Sequence, residues 1–363
     1  MLEAVRGGTS RHLADVVTHT PGVAHHVAVP PAGEPRGGAV YDQAAVDRMV
    51  ADGAVIHLIE MRREPWHPDN VRALHHLRNL VGTLKPDVIH GHSSVGGALA
   101  RVSGRPVVYT ANGVATDAVY RLVERALGRR AERWIAVSES EALSAIELHL
   151  ARPERVVTIP NGIPVVYQPA TMDLRSDLGI PTGAPLIGTV ARLVAQKDPV
   201  RFVEVAAAIA HRRPDAHFLL IGMGPLQADV DRARAVAGLG SNWHQVPHLD
   251  DAANVIDQLD VFVSTSRFEG APYTPLEAMR AGVPIVLSDV VGNHDVIESG
   301  TSGFLCPQGD PQALADAVIR LLSQDDLRAA VVAAAAERFA DRFDVVDMGR
   351  TLASVYAEVV KAR

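Results

Sequence analysis

Short apolar runs of strand length alternate with helical patterns along almost the whole chain, and this rhythm restricts the fold more than any other feature. The runs are VVYT near residue 107, WIAVS near 134, LIGTVA near 186, HFLLIG near 217, DVFVST near 260 and PIVLS near 284. Such alternation is that of parallel sheets with crossover helices, so an α/β fold is expected in both halves. No sequence repeat relates the halves. At 363 residues the chain exceeds what one hydrophobic core usually organises, and 47% hydrophobic residues can fill two. The segment IPNGIPVVYQPA (159–170) breaks periodicity with Pro160, Asn161, Gly162, Pro164 and Pro169. It reads as a linker, giving domains over 1–165 and 166–345. Met348, Leu352, Val355, Tyr356 and Val359 recur at helical spacing and predict a final helix over 345–360.

A first strand over 1–5 is shorter than a central strand usually is, which suggests a natural start further upstream. The net charge of −7 argues against nucleic acid as a partner, because a duplex backbone needs a broad positive surface. Cys306 is the sole cysteine, so no intrachain disulfide forms. No apolar run approaches the roughly 20 residues of a membrane span, and MLEAVRGGTSRH lacks a signal-peptide core. A soluble, cytoplasmic protein is expected.

The chemistry concentrates in SRFEGAPYTPLEAMRAGVPIVLSD, which reads as a strand over 261–265, a polar loop, a helix from Pro275 and a strand over 284–288. Glu269 and Glu277 therefore fall where an α/β sheet holds its ligands. Carboxylates accept paired hydrogen bonds from sugar hydroxyls, and the helix start between them favours a phosphate. A second segment, GTVARLVAQKDP, places Arg192 and Lys197 after a strand. Only three of the 35 basic residues are lysine, so Lys197 in a ligand loop stands out.

The Glu-x7-Glu spacing, with Arg192 and Lys197 in an Arg-x4-Lys arrangement, resembles the retaining nucleotide-sugar glycosyltransferases of the GT-B fold known as glycosyltransferase family 4. The resemblance extends over nearly the whole chain and is nearest to the branch that assembles polysaccharides and surface glycans. It implies two Rossmann-like domains with parallel sheets facing across a cleft, the last helix (346–363) returning to the first domain. It also implies transfer of a hexose from a nucleotide diphosphate sugar to a hydroxyl-bearing acceptor, either a glycan, a lipid-linked sugar or a small metabolite. No cofactor and no metal are called for.

By this resemblance Arg192 and Lys197 grip the diphosphate, with Ala191 standing where the family has glycine, and Glu269 holds the transferred sugar. Glu277 is assigned to the ribose hydroxyls, although Thr274, Pro275 and Glu277 also read as an N-cap, N1 and N3 capping box that needs no ligand. Gly270, Ala271, Pro272, Tyr273 and Thr274 line the donor loop, and Pro272 removes a backbone donor there. Gly222 and Gly224 close a strand with a turn that lets backbone approach the nucleotide, and His248 falls in the base-contacting loop or is a plain surface histidine.

In the first half Gly7, Gly8 and Thr9 open a helix through about His19, capped by Thr9 or Ser10, and face the donor phosphate or form an ordinary turn. His90, His92 and Ser93 line the acceptor side. Asn112 replaces the histidine the family usually places beside the reacting sugar, and asparagine cannot titrate near neutral pH. That substitution keeps a donor-binding pseudoenzyme open as an alternative, and the shared fold keeps open a sugar-nucleotide 2-epimerase. Arg121, Arg125, Arg129 and Arg133 recur every four residues as one helical stripe, with Glu124 and Glu132 beside them. They form either a solvated face or a contact with anionic membrane at the inner face.

Overall fold

The computed structural model describes residues 7–32 and 42–362, apart from 63, 65, 105, 114–117, 248, 250 and 251. The strand expected over 1–5 lies outside the described residues. The chain divides into two compact units, residues 1–162 with 345–363, and residues 163–344.

The first unit carries β1 His26–Val29, β2 Val55–Leu58, β3 Ile89–His92, β4 Val107–Thr110, β5 Arg133–Ala136 and β6 Val156–Thr158. Its helices are α1 Gly7–His19, α2 Gln43–Ala51, α3 Asp69–Leu84, α4 Ser94–Arg101, α5 Ala118–Leu127 and α6 Glu139–Glu147, with the last helix of the chain added to them. β1 pairs with β2, and β3 to β6 pair in sequence order; every pairing is parallel.

The second unit holds β7 Leu186–Val190, β8 His217–Ile221, β9 Trp243–Val246, β10 Val261–Ser264, β11 Ile285–Asp289 and β12 Phe304–Pro307. Its helices are α7 Leu174–Asp177, α8 Pro199–Ala210, α9 Gln227–Ala237, α10 Tyr273–Arg280, α11 Asn293–Val296, α12 Pro311–Ser323 and α13 Asp325–Arg342. The strands run in the order β12-β11-β10-β7-β8-β9, again parallel throughout. Connections leave β7 towards β8 on one side and return at β10 on the other. The carboxyl ends of β7 and β10 therefore form a topological switch point, where open α/β sheets bind ligands. The strands at the sheet centre are buried on both faces, as continuous Val, Ile, Leu and Phe runs require.

The final helix, α14 Val345–Lys361, buries Val345, Met348, Leu352, Val355, Tyr356 and Val359 against Val16, Val108, Ile135 and Ile159 of the first unit. Burying its five aliphatic and methionine side chains contributes on the order of 10 kcal/mol of gross transfer free energy. Gly349 is required there, since a Cβ would stand 2.0 Å from the carbonyl oxygen of His19.

Three local expectations change. α10 begins at Tyr273, not Pro275, with Pro272 as a cap that makes no side-chain bond, so Thr274 lies inside the helix and the Thr274–Glu277 capping box does not form. Gly7, Gly8 and Thr9 are already the first turn of α1, so neither Thr9 nor Ser10 is its cap; the Ser10 hydroxyl instead donates to Gly7 O and Asp42 Oδ2, each at 2.7 Å. The arginine stripe is not one helix either. α5 ends at Leu127, Arg129 sits in a 3-10 turn, and Arg133 opens β5 beside Glu358 at 3.5 Å. Glu124 is no solvated neighbour: it is buried in a two-point ion pair with Arg101 at 2.8 and 3.0 Å and accepts from the Tyr109 hydroxyl at 3.1 Å.

Candidate active site

At the switch point of the second sheet, the loop after β7 and the loop after β10 are stitched together before any side-chain chemistry begins. Arg267 N donates to Gln196 O at 2.8 Å, and the Thr265 hydroxyl donates to Lys197 O and Asp198 O at 3.1 and 3.0 Å. The Arg267 guanidinium holds Asp198 Oδ2 at 3.0 Å, and Asp198 takes the left-handed conformation at φ 45°. This bend brings Lys197 Nζ to 2.5 Å from Glu269 Oε1. The Gln196 amide adds a contact to Phe268 O at 3.2 Å and a longer one to Glu269 Oε2 at 3.5 Å. The Glu269 side chain is 5% exposed and that of Lys197 19%, so the pair is largely out of water while one edge of the lysine remains reachable.

Arg192 is exposed, and among the described residues it forms no ion pair. The backbone on either side of it is fixed: Ala191 N donates to Ile221 O at 3.0 Å and Leu193 N to Met223 O at 2.9 Å. Gly222 and Gly224 permit this approach. A Cβ at Gly222 would lie 2.0 Å from Ala191 O, and one at Gly224 2.5 Å from Leu193 O. The two glycines thus hold the arginine loop. Gly292, in the turn after β11, plays the same part for Glu269. At φ 89° it packs so that a Cβ would meet Gly270 O at 2.5 Å and Glu269 O at 2.9 Å.

Glu277 is buried in α10 on the same side of the unit. Gly270 and Ala271 are partly exposed, Pro272 is buried, and Tyr273 and Thr274 supply the first backbone N–H groups of α10. Because Pro275 falls in that first turn, one of its donors is missing. His248 lies outside the described residues.

In the first unit, α1 presents Gly7, Gly8 and Thr9 at its start, with His12 one turn below. His12 and His92 are buried, and their rings meet edge to face at 5.4 Å. His90 sits 4.0 Å from the His92 ring, with Nδ1 at 2.6 Å from the Tyr356 hydroxyl and Nε2 at 2.8 Å from that of Thr110. Burial holds the His12 pKa down to about 4, opposed by the neighbouring Asn161 side chain. Burial, reinforced by the neighbouring histidines, holds those of His90 and His92 well below the ordinary value. Of the two residues expected on the acceptor side, His92 is 1% exposed and His90 is half-buried. Ser93, at φ 60°, follows them as the cap residue of α4.

Asn112 takes the left-handed conformation at φ 57°, which asparagine adopts more readily than most residues. Its side-chain amide nitrogen is buried and has no hydrogen-bond partner among the described residues. The turn is held by Glu141, which the family resemblance does not point to. Glu141 is 1% exposed and accepts from Gly113 N and Val137 N, both at 2.6 Å. Ser138, the N-cap of α6, accepts from Glu141 N at 3.1 Å, so the Ser-x-x-Glu spacing was the available signal. Among the described residues no group of three His, Cys, Asp or Glu side chains is placed to hold a metal ion, and no helix is long and apolar enough to cross a membrane.

Residues 171–338 match the family described as glycosyl transferases group 1, and residues 6–166 match glycosyltransferase family 4. The Escherichia coli UDP-Gal:alpha-D-GlcNAc-diphosphoundecaprenol alpha-1,3-galactosyltransferase is 29% identical over 279 residues, covering 69% of this chain and 70% of that protein. The D-inositol 3-phosphate glycosyltransferase of Thermobispora bispora is 29% identical over 305 residues, covering 76% and 71%. In fold, the chain is similar to Anabaena Alr3699/HepE in complex with UDP and glucose, with a TM-score of 0.84, 20% identity and 98% of each chain covered.

Proposed function

The chain belongs to glycosyltransferase family 4, its second unit to the group 1 glycosyltransferases, and from that premise we propose that Arg192, Lys197 and Glu269 form the donor end of its active site. It is a GT-B glycosyltransferase that transfers sugar from a nucleotide sugar to an acceptor. The proposed donor is a uridine diphosphate hexose, a reading supported by the activity of the Escherichia coli galactosyl relative and the UDP held by the structural neighbour.

The observation that carries the proposal is the contact between Lys197 and Glu269 at the switch point. A diphosphate entering there meets the lysine ammonium and the exposed Arg192, which can fork two phosphate oxygens. The cations stabilise the leaving group as its bond to the sugar breaks, with no metal ion called for. Glu269 then accepts hydrogen bonds from hydroxyls of the transferred sugar, and Glu277 from the ribose. Gly270 to Thr274 line the donor loop. In the first unit, the start of α1 at Gly7, Gly8 and Thr9 offers backbone N–H groups suited to an anion, and Asn112 offers its amide to an acceptor hydroxyl. Ser93 belongs to the acceptor side, with His90 and His92 supporting it from within.

Transfer proceeds with retention. The acceptor oxygen bonds to the anomeric carbon as the carbon–phosphate oxygen bond breaks on the same face, and the acceptor proton passes to the departing phosphate oxygen. Arg121 and Arg125 of α5 flank exposed Val119 and Leu122, which suits contact with an anionic membrane bearing a lipid-linked acceptor.

Incubation with UDP-, GDP-, ADP- and dTDP-sugars, with and without acceptor and with a chelator present, tests the reading. Release of UDP with a retained glycosidic product is expected. An epimerised sugar, or binding without turnover, would contradict it. Flotation with anionic but not neutral vesicles, lost in Arg121→Glu/Arg125→Glu, is expected for the membrane contact.

A further inference from the structure

Beside Glu269 the second sheet carries a histidine–aspartate pair that the donor site described above does not use. Asp289 is the last residue of β11, and its Oδ1 contacts Nε2 of His294 in α11; both side chains are half-exposed. β11 neighbours β10, so this pair emerges from the same sheet edge as the Glu269 loop.

The pair is held rigidly with respect to that loop. Between Asp289 and His294 the chain turns through Gly292, whose contact with the Gly270 and Glu269 carbonyls leaves no room for a Cβ. Asn293 is fully buried, and its amide donates to Ser288 O at 2.9 Å, which locks the turn from beneath. A half-exposed imidazole is thus fixed on a turn packed against the backbone of Glu269, which carries the sugar carboxylate, and of Gly270. Elsewhere in the unit, His217 and His244 open β8 and follow the start of β9, and they face each other at the opposite, amino-terminal end of the sheet.

We infer that His294, oriented by Asp289, is a sugar-specificity residue that hydrogen-bonds a hydroxyl of the transferred sugar; this rests on the donor reading above. The tautomer follows from the pair. An ionised carboxylate only accepts, so Nε2 carries the hydrogen and Nδ1 is left as an acceptor. Glu269 also only accepts. The two residues together call for a sugar that donates two hydroxyl hydrogens, and a donor whose hydroxyl at the His294 position is deoxygenated or methylated loses one of them. Asp289 is the positioning residue, holding the ring in that tautomer.

The test is calorimetric titration of UDP-glucose, UDP-galactose and sugar-free UDP into the wild type, His294→Ala, His294→Gln and Asp289→Asn. For the hexose that binds the wild type more tightly, His294→Ala is expected to weaken binding about tenfold, the loss of one hydrogen bond, while UDP affinity and melting temperature stay unchanged. His294→Gln keeps an acceptor and recovers most of the loss, and Asp289→Asn falls between. Unchanged sugar-nucleotide affinity in His294→Ala, or parallel weakening of UDP and UDP-hexose, would overturn the assignment while leaving the donor site standing. A wild type that binds neither UDP nor either UDP-hexose would instead remove the donor reading itself.

Discussion

Lys197 and Glu269, 72 residues apart in sequence, meet at 2.5 Å because β10 lies beside β7 in the second sheet. The pairing spares a largely buried carboxylate the cost of standing uncompensated. A bound diphosphate must therefore share the lysine with the glutamate.

Lys197→Met is expected to weaken UDP by about 10- to 100-fold, the value of a charge-assisted hydrogen bond in a partly dry site. Arg192→Ala should cost less, since Arg192 is more exposed. Competition binding with UDP and with uridine separates the two effects, because neither variant should alter uridine.

Glu277→Gln is expected to lower affinity for UDP and for uridine alike by about tenfold, since both carry the ribose, and competition binding measures both.

Acid should destabilise the first unit through its buried histidines. The folded pKa of His12 is about 4 against an ordinary 6.5, so the folded state keeps the ring neutral while the unfolded chain takes up a proton below pH 6.5. That contribution is complete above pH 6.5 and is lost as pH falls towards 4, with His90 and His92 acting in the same direction. Denaturant midpoints measured from pH 7.5 to 4.5 should fall, and His12→Phe should flatten part of the slope.

Two packing substitutions report on the first unit. Glu124→Ala leaves Arg101 buried without its carboxylate and is expected to cost about 3–5 kcal/mol. Gly349→Ala gains helix propensity, but its methyl meets the His19 carbonyl at 2.0 Å, so a net loss of about 1–3 kcal/mol is expected. Urea unfolding with unchanged slope checks both.

The sequence disclosed the central strands because β4, β7, β8, β10 and β11 are runs of buried apolar residues. It was silent on β9 and β12, WHQV and FLCP, which are the outer strands of the second sheet and keep a partly exposed face. The amphipathic spacing of α14 was legible down to its buried residues. The helix start at Tyr273 was not, since Thr274 and Pro275 mimic a cap that Pro272 pre-empts. Within the candidate site, Glu269 and Lys197 could be picked out one by one, but their contact depends on strand order, which no local pattern encodes. Glu141 has a spacing signal in Ser138-x-x-Glu141, whereas the Asp289–His294 pair emerges only from the fold.

The most direct measurement of the account is calorimetric titration of UDP and UDP-hexose into the wild type and Glu269→Gln. Removing the charge frees Lys197 for phosphate while depriving the sugar of its carboxylate. The variant should bind UDP at least as tightly as the wild type, lose the added affinity for UDP-hexose and fail to transfer. Equal weakening of UDP and UDP-hexose, or transfer at the wild-type rate, would contradict the assignment of Glu269 to the sugar and Lys197 to the diphosphate.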